Sequence, residues 1–211
     1  MNLQFTKVLV IAPHTDDGEF GCGGSITKFI EAGTEIYYAA FSLAEESVPP
    51  QFPKNILETE VKAATTELGI KSDHLLLFKY QVRHFAEHRQ SILEDLVKLN
   101  HDLKPDLVFM PSLHDLHQDH STVAIEGLRA FKKTSIFAYE MPWNNLNFST
   151  QSFIKLSESN IEKKIKALEC YKSQATKSYA SKEFILGLAR TRGAQIGVIF
   201  AETFEVVRCI L

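Results

Sequence analysis

The chain has 211 residues, 45% of them apolar and 23% charged, and a net charge of −3. That length suits one well-buried domain spanning residues 1–211. The charge pattern provides neither a basic stripe for nucleic acid nor a Lys/Arg block for an anionic membrane.

Residues 7–13 (KVLVIAP) form a continuous apolar run, the pattern of a strand covered on both faces. The run is too short for a signal-peptide core or a spanning helix. The cysteines, Cys22, Cys170 and Cys209, are odd in number and far apart. They form neither a metal knuckle nor a secreted disulfide framework, so a soluble cytoplasmic protein is expected. Residues 25–32 read as a helix closed by Gly33, and 35–42 as a second strand. The Pro-rich segment 47–55 is a loop, able to act as a lid. A helix over 56–68 with a Gly stop, a short strand over 74–78, a helix over 88–103 and a buried strand over 106–112 follow. Then come a helix over 121–131, a strand over 135–140, a strand over 153–157, helices over 162–173 and 182–192, and a closing strand region over 196–210. This alternation predicts an α/β fold. It is a three-layer α/β/α sandwich with a Rossmann-like, mainly parallel sheet and antiparallel strands toward the C-terminus.

Polar groups crowd two strand ends. His14, Asp16 and Asp17 follow the first strand; His114, Asp115, His117, Asp119 and His120 follow the strand over 106–112. In an open parallel sheet, ligands bind outside the carboxyl ends of the strands. If the two strands are neighbours, the clusters face each other. A catalytic zinc takes three N/O protein ligands and keeps one position for water. His14 and Asp17 can supply two, and His120 is the best candidate for the third. Asp16 is then free as a general base, His117 as oxyanion donor and general acid, and Asp119 to hold His117 in one tautomer.

Simpler readings stand beside these. HTDD alone reads as a turn that caps the next helix, and His114 and Asp115 read as solvated loop residues. Cys22 reads as packing. The Gly21–Gly23 pair lacks the third small residue of a dinucleotide fingerprint, because Ile26 stands there. Gly21, Gly23 and Gly24 are instead expected to permit a tight turn and close backbone approach.

The segments PHTDDGEFGCGGSI and HQDH together resemble the PIG-L/LmbE family of zinc-dependent N-acetylglucosaminyl deacetylases. YKSQ (171–174) and ARTRGAQIGVIFAETF (189–204) are similar to segments of its bacillithiol-type branch. The resemblance covers essentially the whole chain. It implies zinc, or iron(II) on the same ligands, held by His14, Asp17 and His120. It also implies Asp16 as general base, His117 as oxyanion donor oriented by Asp119, an amino-sugar conjugate as substrate, and a homo-oligomer. Three positions depart from the family pattern: Thr15 replaces a proline, Phe200 a tyrosine whose hydroxyl reaches the reaction centre, and Leu57 an arginine. Arg83 is the available substitute for that arginine, or else a solvated surface residue. Glu140, Trp143 and Asn144 suit a sugar, with an apolar face for the ring and hydrogen bonds for its hydroxyls; Trp143 also reads as packing or a subunit contact. Arg190 and Arg192 either meet an anionic part of the substrate or brace the C-terminal strand. The competing classes are an amidohydrolase for non-sugar N-acyl amines or thiol conjugates, and a non-catalytic binding module with a vestigial site.

Overall fold

Strand β1 (Lys7–Ala12) lies in the interior of the sheet because both its faces are apolar. Val8, Val10 and Ala12 point into one core; Leu9 and Ile11 point into the other. The computed structural model describes residues 5–210. The remaining strands there are β2 (Glu35–Ala40), β3 (Leu75–Leu77), β4 (Leu107–Pro111), β5 (Ser135–Tyr139), β6 (Ser152–Leu156) and β7 (Phe200–Arg208). The helices are α1 (Asp17–Glu31), α2 (Ile56–Leu68), α3 (Arg89–Leu103), α4 (Gln118–Ala130), α5 (Glu158–Glu169) and α6 (Lys182–Gln195). Sheet order is β3-β2-β1-β4-β5-β7-β6. The first five strands run parallel, and β7 pairs antiparallel with both β5 and β6. Helices α1, α2, α5 and α6 cover one face and α3 and α4 the other, as the alternating pattern predicts. No helix among the described residues is long and apolar enough to cross a membrane.

The strands β1 and β4 are direct neighbours, with Val8 opposite Leu107 and Val10 opposite Phe109. From β1 the chain crosses to β2 on one side; from β4 it crosses to β5 on the other. Their carboxyl ends therefore open a crevice at a topological switch point.

The first helix departs from the sequence reading. It begins at Asp17 rather than residue 25 and is broken at Cys22, whose backbone is non-helical (φ −145°, ψ 20°). The glycines sit inside this helix rather than in a turn. A Cβ on Gly21 would lie 2.3 Å from the Tyr139 ring, so that position serves close packing onto β5. The break leaves backbone groups without helical partners. A buried ion pair supplies them: Glu202 accepts the N–H groups of Gly24 (3.0 Å) and Ser25 (2.7 Å), while Lys164 donates to the Phe20 carbonyl (2.6 Å) and to Glu202 (2.6 Å). Two charges side by side, each also bonded to orphaned backbone, satisfy the condition under which buried ions are tolerated. Removing one strands the other. Lys164→Met is expected to lower stability by about 3–5 kcal/mol in urea denaturation, and Lys164→Met with Glu202→Gln to cost less than the two single changes added together.

Candidate active site

Asp16 and Asp17 occupy the N-cap and first turn of α1 after the short turn that follows β1, and His117 is the N-cap of α4 after the loop that follows β4. Strand adjacency brings His14, Asp17 and His120 into contact. His14 Nδ1 lies 3.2 Å from Asp17 Oδ2, His120 Nε2 lies 3.2 Å from the same oxygen, and the two nitrogens are 3.2 Å apart. Three donors at about 2.0–2.1 Å from a tetrahedral zinc lie roughly 3.3 Å from one another. The triangle therefore fits a zinc-sized ion. Each imidazole also has a carboxylate on its far nitrogen: Asp119 Oδ2 is 3.0 Å from His14 Nε2, and Asp115 Oδ2 is 2.8 Å from His120 Nδ1. Carboxylates in that position fix the tautomer that presents a lone pair to a metal.

Two sequence expectations are corrected here. Asp115 is no solvated loop residue: it is 4% exposed and also accepts the His117 backbone N–H at 2.8 Å. The Asp119 carboxylate holds His14 rather than His117, because the first turn of α4 directs it back toward β1. What orients His117 is the Asp119 backbone, whose N–H donates to His117 Nδ1 at 3.2 Å. In that tautomer Nε2 carries the ring proton. The His117 ring also lies close enough for the three imidazoles to surround one ion, but its Nδ1 is bonded to backbone and has no carboxylate partner of the kind His14 and His120 share.

The charges follow from these contacts. Burial, with His120 and His14 alongside, pushes the His117 pKa down to about 4. Burial acts the same way on His120, yet Asp17 and Asp115 outweigh it and raise that pKa to about 10. Asp17 is held well below the usual carboxylate range because His120 and His14 overcome its burial. Burial and the neighbouring Asp17 raise Asp16 instead. Two adjacent carboxyls are thus pushed in opposite directions, the pattern that separates a ligand from a proton acceptor.

The site opens into a cleft of about 300 Å³, adequate for a small molecule. Arg83, Trp143 and Asn144 line it, and so does Leu57. Arg83 has φ +71°, a strained conformation for a side-chain-bearing residue. Its N–H donates to Asp119 Oδ2 at 2.6 Å and its guanidinium to Ser47 Oγ at 2.8 Å. Asp119 thus ties His14 to the Arg83 loop. Trp143 also packs, stacked on Tyr179 with centroids 4.0 Å apart. Glu140 is corrected: it is absent from the cleft lining and pairs with Arg192, whose Nε is 3.0 Å from Oε2 and whose Nη2 bonds Oε1. Arg192 is therefore a brace. Phe200 lies outside the cleft as well, with its ring under the Arg190 guanidinium. Sequence reasoning missed Gln174, Lys177 and Tyr179, which line the cleft from the segment after α5. The YKSQ motif was the signal for that segment, but its position over the site depends on how α5 packs.

One buried carboxyl beside the site has its pKa displaced upward. Burial is the largest cause raising Glu19 from 4.5 to about 8.

A family model described as PIG-L, GlcNAc-PI de-N-acetylase, matches residues 9–131, more than half of the 211 residues. The chain belongs to the PIG-L family. The matched segment contains both His/Asp clusters. Within 170 aligned residues the chain is 27% identical to the uncharacterized deacetylase YaiS of Escherichia coli K12, covering 79% of this chain and 90% of that one. It is 26% identical over 188 residues to a probable N-acetyl-alpha-D-glucosaminyl L-malate deacetylase 2 of Bacillus anthracis, covering 81% and 82%. Among solved structures, the 4-carboxy-2-hydroxymuconate hydratase GalB of Pseudomonas putida KT2440 superposes with a TM-score of 0.79 at 18% identity, covering 98% of each chain. That likeness shows the fold, and the reaction has to be argued from the site.

Two measurements check this account. Asp115→Asn is expected to weaken zinc affinity by about 10–100-fold, measured by competition with a chelating dye, while the fold survives. For Glu19, the folded pKa lies above the unfolded one. Its contribution is full below about pH 4.5 and fades as pH rises toward 8. The loss in melting temperature of the metal-free protein from pH 5 to 8 should therefore be shallower in Glu19→Gln than in wild type.

Proposed function

We propose that this chain is a metal-dependent hydrolase that removes the N-acetyl group from an N-acetylglucosamine-type conjugate. The carrying observation is the 3.2 Å triangle of His14, Asp17 and His120 with its two carboxylate-backed imidazoles. Family membership and the activity named for the Bacillus relative support the choice of amide and sugar.

His14, Asp17 and His120 would hold zinc, or iron(II). Either ion supplies Lewis acidity, polarising a carbonyl and lowering the pKa of water. The Asp16 carboxyl lines the same cleft and makes no capping hydrogen bond, so it is available to take a proton from the attacking water. As water adds to the acetamide carbon, the oxygen gains charge. The His117 Nε2–H, set by the bond at Nδ1, donates to that oxygen. Because His117 is neutral near pH 7, it acts as a hydrogen-bond donor without a full charge. Asp16 then returns its proton to the amine nitrogen. The C–N bond breaks, and acetate and a free amine leave. Trp143 presents an aromatic face for a sugar ring; Asn144, Gln174, Arg83 and Lys177 surround it with polar groups.

The test couples metal content to turnover. Wild type should bind about one zinc or iron per chain and release acetate from N-acetylglucosamine conjugates. Asp17→Ala should lose the metal. Asp16→Asn should keep it and lose about 10²- to 10⁴-fold in kcat. A metal-loaded wild type that releases no acetate from a panel of N-acetylated amino sugars would refute the assignment.

A further inference from the structure

Two tyrosines from distant parts of the chain converge on a single backbone carbonyl inside the site. The Thr15 carbonyl, in the turn between His14 and Asp16, accepts from Tyr171 Oη at 2.7 Å and from Tyr38 Oη at 2.9 Å. Both hydroxyls also abut Glu19: Tyr171 Oη lies 2.9 Å from Oε1, and Tyr38 Oη bonds Oε2. The Gly18 N–H donates to Tyr38 Oη at 3.1 Å. A Cβ on Gly18 would fall 2.5 Å from the Tyr38 ring, so the start of α1 is pressed against this tyrosine. Thr15, Glu19, Tyr38 and Tyr171 are all buried. Tyr38 comes from β2 and Tyr171 from the turn after α5.

A turn carbonyl ordinarily needs one partner, and water can supply it. Here two buried tyrosine hydroxyls do so, with Glu19 lying against both, and the residue next in the chain is Asp16. The Thr15 carbonyl and the Asp16 N–H belong to one rigid peptide plane. With that plane held on one side and helix α1 holding the next peptide, the φ of Asp16 and so the direction of its Cα–Cβ bond are restricted. The neighbouring residues have other holds. His14 is held by Asp119, and Asp17 Oδ2 accepts the His14 N–H at 2.8 Å. Asp16 has no such hold: it makes no capping bond, and the hydrogen bond that bears on its carboxyl comes from its own backbone.

We propose that Tyr38, Tyr171 and Glu19 are positioning residues that lock the Thr15–Asp16 peptide plane and thereby aim the Asp16 carboxylate at the attacking water. The proposal rests on Asp16 being the general base of the reaction above. It assigns a purpose to the tyrosine of YKSQ and to the glutamate two residues after Asp17, which the chemistry itself leaves unused. The donor side chains of the triangle make no bond to the clamp, but Tyr38 also accepts the N–H of Gly18, next after Asp17. The Tyr171 hydroxyl bonds only Thr15 and Glu19, so loosening it should misplace the base and leave metal binding intact. A misplacement of about 1 Å costs on the order of 10²-fold in rate.

The experiment is acetate release by metal-loaded protein, using an N-acetylglucosamine conjugate turned over by wild type. Tyr171→Phe removes one hydroxyl. It should lower kcat by about 10- to 100-fold, with KM within about threefold and metal stoichiometry unchanged. Tyr38→Phe is the second variant should the first fail to fold. Tyr139→Phe is the control: its hydroxyl also donates to a buried carbonyl, that of Ile11 at 2.9 Å, and bonds neither Thr15 nor Glu19. It should keep kcat within about twofold. In an Asp16→Asn background, Tyr171→Phe should add less than about a twofold loss, because the group it aims is already gone. Full turnover by both clamp variants, or an equal fall in the Asp16→Asn background, would overturn the proposal. No acetate release by loaded wild type would overturn the deacetylase reading, and the proposal with it.

Discussion

The parallel pairing of β1 with β4 is the contact on which the site depends. It joins strands about a hundred residues apart in the chain and sets Val8 beside Leu107 and Val10 beside Phe109. Because the chain leaves these two strands in opposite directions across the sheet, the loops diverge and leave a crevice between them. His14 and Asp17 stand on one side of it and His120 on the other, yet their donor atoms approach to 3.2 Å. Hydrophobic burial holds the pairing in place: apart from Lys7 both strands are apolar, and each is covered by helices on two faces. The polar chemistry is thus anchored to the least polar part of the molecule.

Buried carboxylates form a second layer of design, and each one is resolved differently. Asp115 and Asp119 stand behind the imidazoles of His120 and His14. Glu202 accepts the backbone N–H groups freed by the break in α1 and pairs with Lys164. Burial pushes Glu19 up to about 8, and its carboxyl lies against two tyrosine hydroxyls. An isolated buried charge is too costly to persist, so each group is paired, bonded to backbone or neutral. The break in α1 and the clamp on Thr15 fall on either side of the first helical turn. That turn, which carries Asp16 and Asp17, is therefore held at both ends.

Much of the fold was legible because periodicity reports burial. Strands β1 and β4 read as continuous apolar runs, and the helical stretches showed their period, so the layered architecture followed. The start of α1 was not legible. Gly18, Gly21, Gly23 and Gly24 look like turn residues, and only their contacts with Tyr38, Tyr139, Lys164 and Leu156 show why small residues are needed in a helix. Glu140 was misplaced for a related reason. It follows a strand at the correct edge of the sheet, but Arg192 on α6 draws its carboxylate away from the cleft. Lys177 and Gln174 reach the cleft only because α5 packs against α1 and α2, which no local pattern encodes.

The sequence by itself determined which residue types stand at the carboxyl ends of the first and fourth strands, since both follow from apolar runs that stop at His/Asp clusters. It also determined that the two clusters share an edge, because parallel strands all end on the same side. Tertiary structure decided which carboxylate meets which imidazole. Asp115 lies in the loop before α4 and Asp119 in its first turn, only four residues apart, yet one faces His120 and the other reaches across to His14. A hydrogen bond is decided over tenths of an ångström by the directions of two side chains. Those directions depend on the turn of α4 and on the strand that lies alongside, and the pattern of a single segment carries neither.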